Sequence, residues 1–301
     1  MSSGHSHGSE RAVQKRVLWI ALALNGTFLV AEIVGGIAFN SLALLADAAH
    51  MVSDVAGLSI ALVAQSLMDR PASARHTFGL QRAEVLGAQA NALTLLAASG
   101  WILLEAFRRL DSPEEVGAQG MLIVAGLGLA VNVGSAIVIA RARGSSLNMR
   151  GALLHMVGDA AGSVGAIAAG AGMLVWGVRW PDPVASIAIA GLVLWSGWHL
   201  LRETTHVLLE GTPRGMSVVD VERELANDPR VDSVHHVHLW NLASDVPALS
   251  AHVVVAEEGS LHDAQLEGDR LRLLLHDRFG IEHSTLELEC HSCEPASAST
   301  H

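Results

Sequence analysis

Long apolar runs separated by short polar stretches fill the first two thirds of the chain, and the pattern then changes. Residues 17–39 contain a single charged residue, Glu32, and at 1.5 Å per residue the run is long enough to cross a hydrocarbon core of about 30 Å. Further apolar runs at 41–67, 84–107, 120–140, 151–178 and 183–201 predict five more spanning helices. The first run is too long, and too closely followed by others, for a cleavable leader. From 211 onward apolar and polar positions alternate over short stretches. This predicts a helix at 218–226, strands at 231–242 and 248–255, a helix at 261–279 and a strand at 284–289. An α-β-β-α-β order suits a small open sandwich with helices on one face of a sheet.

The fold class expected is therefore an all-α six-helix transmembrane bundle followed by a C-terminal α/β domain. Its parts are an N-terminal tail at 1–16, the membrane domain at 17–208, a soluble domain at 209–293 and a disordered tail at 294–301. Composition agrees: a mean hydropathy of +0.38 with 16% charged residues excludes a wholly soluble protein, which carries about a quarter. The net charge of −11 belongs to one region. Up to residue 200 there are twelve Asp+Glu and twelve Lys+Arg; beyond it there are eighteen against seven, together with ten of the sixteen histidines. An acidic, His-rich domain attracts cations and excludes a nucleic-acid partner, which needs Lys and Arg.

Orientation follows from the basic residues. Arg11, Lys15, Arg16, Arg70, Arg75, Arg82, Arg141, Arg143 and Arg150 fall on one side of the predicted spans; Arg108, Arg109 and Arg179 fall on the other. Positive loops stay in the cytoplasm. Both termini are thus expected there, in a multi-pass protein of a bacterial inner membrane.

Ionisable residues within spans default to function, and two spans share a pattern. His50-Met51-Val52-Ser53-Asp54-Val55-Ala56-Gly57 and His155-Met156-Val157-Gly158-Asp159-Ala160-Ala161-Gly162 agree at six of eight positions. In each, His and Asp four apart lie on one helix face. The second and fifth spans run in opposite directions, the inverted-repeat arrangement of transporters that bind cargo near the midplane. Two imidazoles and two carboxylates can close a tetrahedron around a divalent transition ion, Zn²⁺ above all. A zinc protease would need a Glu beside the first His. Met51 and Met156 stand there instead, so an enzyme is not expected.

At this point the sequence resembles the cation diffusion facilitator family over nearly its whole length. The resemblance is carried by Ser41-Leu42-Ala43-Leu44 with Ala46-Asp47-Ala48-Ala49-His50 and Asp54, and by His76-Thr77-Phe78-Gly79 with Arg82 and Glu84. It extends through 148–159 and Ser163, Asp182-Pro183, and Leu209-Glu210-Gly211-Thr212-Pro213. It implies a proton-coupled exporter of zinc and related ions, a six-helix membrane domain, a metallochaperone-like (ferredoxin-like) cytoplasmic domain and a homodimer. It further implies that His50, Asp54, His155 and Asp159 form the transport site, with His at position 50 similar to zinc-preferring members. One departure concerns the loop after the second span. Some members carry a further metal site there, with a His four residues after the position of His76. This chain has Leu80 there, and Ser73 where an upstream Asp would be. His76 and Asp69 alone leave that loop empty or weakly occupied.

In the soluble domain the resemblance implies His235, His252, His283 and Glu289 as cytoplasmic ligands, with Cys290 and Cys293 adding thiolates. Strand alternation puts His238 and Trp240 on one face and His235 on the other, and Trp240 in the core. Cys290-His291-Ser292-Cys293 has zinc-thiolate spacing, and a reducing compartment favours metal over a disulfide. His262 and His276 suit a solvated helix face, and His5 and His7 a simple tail.

The function expected is export of Zn²⁺, with Cd²⁺ and Co²⁺ as further candidates, in exchange for protons across a lipid bilayer. Zn²⁺ is cargo and a ligand of the cytoplasmic domain; no further cofactor is expected. The rival reading is a membrane-anchored metal sensor, but an anchor has no use for four ligands inside its spans. Coupling is expected at the histidines, since metal needs the neutral imidazole and free imidazole titrates near pH 6.5.

Overall fold

The computed structural model describes residues 22–23, 25–68, 72–141, 147–255 and 260–291, with backbone alone at 58, 61–62, 64–68, 135–136, 138–141 and 147–158. The termini, Asp69 and Cys293 lie outside the described residues. Two compact units form: Met1–Ser66 with Gly87–Leu201, and Leu67–Leu86 with Arg202–His301.

The helices of the first part of the chain are α1 (Asn25–Ala38), α2 (Leu42–Met68), α3 (Arg82–Asp111), α4 (Ala118–Arg141), α5 (Leu147–Trp176) and α6 (Pro181–Leu208). Among the described residues three stretches are long and apolar enough to cross a membrane: Arg82–Asp111, Asp159–Trp176 and Pro181–Leu208. The first unit's core is made largely of small residues. Ala43, Ala46 and Ala49 of α2 meet Ala118 and Ala125 of α4, Ala166 and Ala169 of α5 and Ala190 of α6, with Leu44, Leu95 and Met121 between them. Small side chains let helix backbones approach closely, as they must where lipid removes the hydrophobic drive to associate. Leu104, Leu192, Trp195 and Trp198 point outward, an apolar exterior suited to lipid.

One polar lock fixes the entry to α2. Asp182, fully buried at the start of α6, accepts from Ser41 Oγ at 2.6 Å and from the backbone N–H groups of Leu42 at 2.9 Å and Ala43 at 3.2 Å. These are donors that the first turn of a helix leaves unpaired, and a carboxylate there also meets the positive end of the helix dipole. Just before it, Asn40 takes the left-handed conformation (φ +54°) that Asn tolerates. Its carbonyl and side-chain oxygens accept from the buried Arg109 at 2.8 and 2.7 Å. Asn40's amide, then Arg109, hold the Glu114 carboxyl below the usual carboxylate range.

The second unit contains α7 (Val218–Ala226), β1 (Val231–Ala243), β2 (Val246–Val255), α8 (Leu261–Phe279) and β3 (His283–Glu289). The sheet order is β1-β2-β3, with β1 antiparallel and β3 parallel to β2; α8 is the crossover that a parallel pair requires. Each helix begins at a serine cap: Ser217 accepts from the Asp220 N–H, and Ser260 forms a reciprocal capping box with Asp263. Val221, Leu225, Leu271 and Leu275 of the helices pack on Leu249, Ala251, Val253 and Leu286 of the sheet. The loop residues of 67–86 join this unit, where Arg82 pairs with Glu210 at 3.0 Å and Ser244 donates to Glu84 at 3.3 Å. Gly211 has no room for a side chain, because a Cβ would stand 2.2 Å from the His206 ring.

The lock at Asp182 can be weighed directly. Asp182→Ala orphans buried donors and is expected to destabilise the protein by about 1–3 kcal/mol, read as a lower melting temperature in detergent. Glu115→Ala breaks only the exposed pair with Arg179 and should cost less than about 1 kcal/mol. Equal shifts would show that the cap does not hold the bundle.

Candidate metal centres

The two repeated segments meet. His50 Nε2 of α2 lies 3.1 Å from Asp159 Oδ1 of α5, and one ligand atom from each of His50, Asp54 and Asp159 lies within 4.8 Å of the others. The i, i+4 spacing on α2 supplies His50 and Asp54 from one face, and α5 supplies the third group across the helix pair. All three are half-buried. His155 lies on the described backbone of α5, one turn before Asp159, but its side chain is outside the described residues. From α3, Asn91 donates to Ser53 Oγ at 3.1 Å, which ties a third helix to the segment between His50 and Asp54.

A tetrahedron with bonds of 2.0–2.1 Å has edges of roughly 3.4 Å. The three donors are thus close to coordination distance, and small side-chain rotations would complete it. Imidazole with carboxylate is a donor set for zinc and its neighbours.

A second group sits on the sheet face opposite the helices of the C-terminal unit. His235, His236 and His252 each place a ring nitrogen within 4.8 Å of the others, and His252, Glu287 and Glu289 form an overlapping group. The three rings have centroids 5.1–5.2 Å apart. Glu289, buried at 8% exposure, anchors them: its Oε1 lies 2.7 Å from His252 Nδ1 and its Oε2 lies 3.4 Å from His235 Nε2. The parallel register brings Glu287 opposite His252, and alternation then gives Glu289 the same face.

His236 is the residue that strand alternation cannot find. Register shifts between the pairs His235↔His252 and His238↔Ser250, so three steps on β1 match two on β2. This is a β-bulge, and His236 lies within it at φ +50°. The bulge also corrects the expectation that His235 and His238 face opposite ways. Paired with His252, Ser250 and Ala248, which alternate along β2, His235, His238 and Trp240 share one face. Trp240 is half-buried and lines a cavity of about 950 Å³ with Phe78, Arg82 and Val237, outside the apolar core. The signal in the sequence was the adjacent pair His235-His236, which regular alternation would split.

His283 stands apart from this cluster. It pairs with Ala248, four strand residues from Glu287, or about 13 Å at 3.3 Å per residue. Its ring meets Phe78 edge-on at 6.0 Å. Cys290 is exposed with Sγ 3.3 Å from His291 Nδ1, and among the described residues it joins no three-ligand group. His76 joins none either.

Comparison with known proteins follows the same division. Residues 18–209 match the cation efflux transmembrane domain, and residues 213–291 match the cation efflux protein cytoplasmic domain. The cation efflux system protein CzcD of Alcaligenes sp. (strain CT14) is 41% identical over 305 residues, covering 100% of this chain and 94% of that protein. Zinc transporter ZitB of Pectobacterium atrosepticum is also 41% identical over 305 residues, covering 100% and 93%. A cadmium, cobalt and zinc/H(+)-K(+) antiporter of Bacillus velezensis is 38% identical over 288 residues, covering 95% and 92%. Matched from its membrane helices to its C-terminal sheet, the chain belongs to the cation efflux family, the cation diffusion facilitators.

Proposed function

We propose that this protein is a secondary transporter that exports Zn²⁺ from the cytoplasm in exchange for protons, with Cd²⁺ and Co²⁺ as further cargo. The observation that carries the reading is the meeting of the two repeated segments, His50 against Asp159 at 3.1 Å with Asp54 beside them. His155 completes the proposed site, four residues before Asp159 on α5. The relatives' names, zinc transporter and cadmium, cobalt and zinc antiporter, support the cargo and the exchange. The family consists of transporters, not enzymes.

The architecture proposed with this function has six spans with both termini in the cytoplasm, a metallochaperone-like cytoplasmic domain of ferredoxin-like kind, and a homodimer. The dimer draws support from the family of the C-terminal domain. The cytoplasmic domain binds metal through His235, His236, His252 and Glu289, with the thiols of Cys290 and Cys293 as additional donors. A membrane-anchored sensor gains no support, because an anchor leaves the α2–α5 donors without a task.

Each donor of the proposed site binds cargo only when deprotonated, so cargo and proton compete. Inward-facing, the site loses protons and takes metal; outward-facing, it takes protons and releases metal. A site made wholly of side chains on two helices changes its exposure when those helices move as a pair, the alternating access of inverted repeats.

Three outcomes test this function. In proteoliposomes, Asp54→Ala and Asp159→Ala should each cut Zn²⁺ flux by more than the 10–100-fold typical of losing a metal site's outer partners. Wild-type flux in either variant would refute the transmembrane site. With an imposed pH gradient and no metal gradient, the protein should move Zn²⁺ uphill; indifference to the gradient would make it a uniporter. In equilibrium dialysis of the full-length protein, His236→Ala should lower bound Zn²⁺ while His283→Ala leaves it near the wild-type value. The reverse order would mean that the bulge histidine is no ligand.

A further inference from the structure

Helices α2 and α3 meet through apolar contacts, with a bond between two polar side chains set among them. Asn91 of α3, buried at 8% exposure, donates from Nδ2 to Ser53 Oγ of α2 at 3.1 Å. Its other amide atom, Oδ1, is buried without a hydrogen-bond partner. Toward one end of the seam a Cβ on Gly87 of α3 would stand 3.2 Å from Ile60 of α2. Toward the other, Leu95 of α3 shares a buried apolar cluster with Ala46 and Ala49 of α2.

A buried amide with one atom unpaired costs stability. An apolar residue of the same size would hold the seam at least as well, so stability is not what this bond supplies. It supplies direction. Alanine contacts fix how close two helices lie, whereas a hydrogen bond also fixes how far α2 is turned about its own axis. Turning the amide over exchanges donor and acceptor, since Ser and Asn serve as either, and the bond remains. Ser53 stands three residues after His50 and next to Asp54, about 60° and about 100° from them around the helix. The bond therefore sets the angle at which both donors reach α5. Side chains extend about 6 Å from a helix axis, so a turn of roughly 10° displaces a donor by about 1 Å. Metal–ligand distances hold to within about 0.2 Å.

We propose that Asn91 is a positioning residue for cargo selection. Through Ser53 it holds α2 at the rotation that suits the short bonds of Zn²⁺, and without it the donor set opens toward the larger Cd²⁺. Imidazole and carboxylate serve both ions, so geometry is left to separate them. This inference rests on the reading of His50, Asp54 and Asp159 as the transport site, and adds to it a residue that acts through another.

The experiment uses the full-length protein in proteoliposomes, with Zn²⁺ and Cd²⁺ flux measured separately. Asn91→Leu, close in size but without the amide, should raise KM for Zn²⁺ by about tenfold, the lower end for a metal site's outer partners. KM for Cd²⁺ should rise less, so the ratio of the Cd²⁺ value to the Zn²⁺ value falls. The melting temperature should hold or rise, which separates positioning from support of the fold. Ser53→Ala should lower the ratio alike, and the double variant no further than either single, because both remove one bond. Ser53→Thr keeps the hydroxyl and should restore the wild-type ratio. As a control, Ser99→Ala removes a buried α3 hydroxyl that has no partner and should leave both KM values unchanged. If Asn91→Leu does not fold, Ser53→Ala carries the test from the other side of the bond. An unchanged ratio in either folded single variant, or additive effects in the double, overturns the inference while wild-type Zn²⁺ flux stands. Absence of Zn²⁺ flux in the wild-type protein overturns the export reading itself.

Discussion

Polar groups inside an apolar bundle have no water to turn to, so each has to find its partner on a neighbouring helix. The first unit is organised by this constraint. Asp182 of α6 closes the first turn of α2, Arg109 of α3 closes the turn at Asn40, and Asn91 of α3 reaches Ser53 of α2. The apolar packing between these points is built mainly from alanine, which fixes spacing but little else. Directional bonds therefore decide which face of α2 meets α5, and the face so chosen carries His50 and Asp54.

The C-terminal unit solves a different problem with different means. Its helices and sheet bury Leu225, Leu271, Leu275 and Leu249 in one apolar core. The opposite sheet face is left to polar residues, and there the register of two strand pairs gathers three imidazoles and two carboxylates. In one unit polar bonds hold the helices and also present the donors. In the other the apolar core does the holding, and the donors lie on the opposite face of the sheet, with Glu289 against His252.

Much of this was legible in the chain. Helices α7 and α8 were expected at 218–226 and 261–279 and are found at Val218–Ala226 and Leu261–Phe279, because Ser217 and Ser260 mark their starts and apolar periodicity marks their length. His50, Asp54 and Asp159 were legible as an internal repeat. What local pattern cannot carry is long-range or irregular geometry. The bulge at His236 shifts register by one residue and so changes which side chains share a face, and nothing in the alternation of β1 announces it. Strand spacing alone likewise gives no warning that His283, in line with the other histidines by type, pairs too far along β2 to join them. Glu32 was visible as the lone charge of the first run, but its complete burial depends on helices that the run itself does not announce.

The short His50–Asp159 contact also bears on how a cation could leave. On the proposed reading, an imidazole and a carboxylate that lie 3.1 Å apart can bond to each other once an ion has left, so a departing ion need not abandon bare charges in a low-dielectric site. The bond between imidazole and carboxylate replaces part of what the ion supplied. If His50 and Asp159 hold the cargo as proposed, its entry would break that bond at some cost in affinity, and re-forming the bond would assist release. A carrier needs binding that is reversible from both sides. A half-closed donor set that pairs internally meets that need, whereas a rigid preformed tetrahedron would hold its ion too long. On the sheet the donors are gathered differently: Glu289 lies 2.7 Å from His252 Nδ1 and 3.4 Å from His235 Nε2, a grouping set by strand register and not by the meeting of two helices.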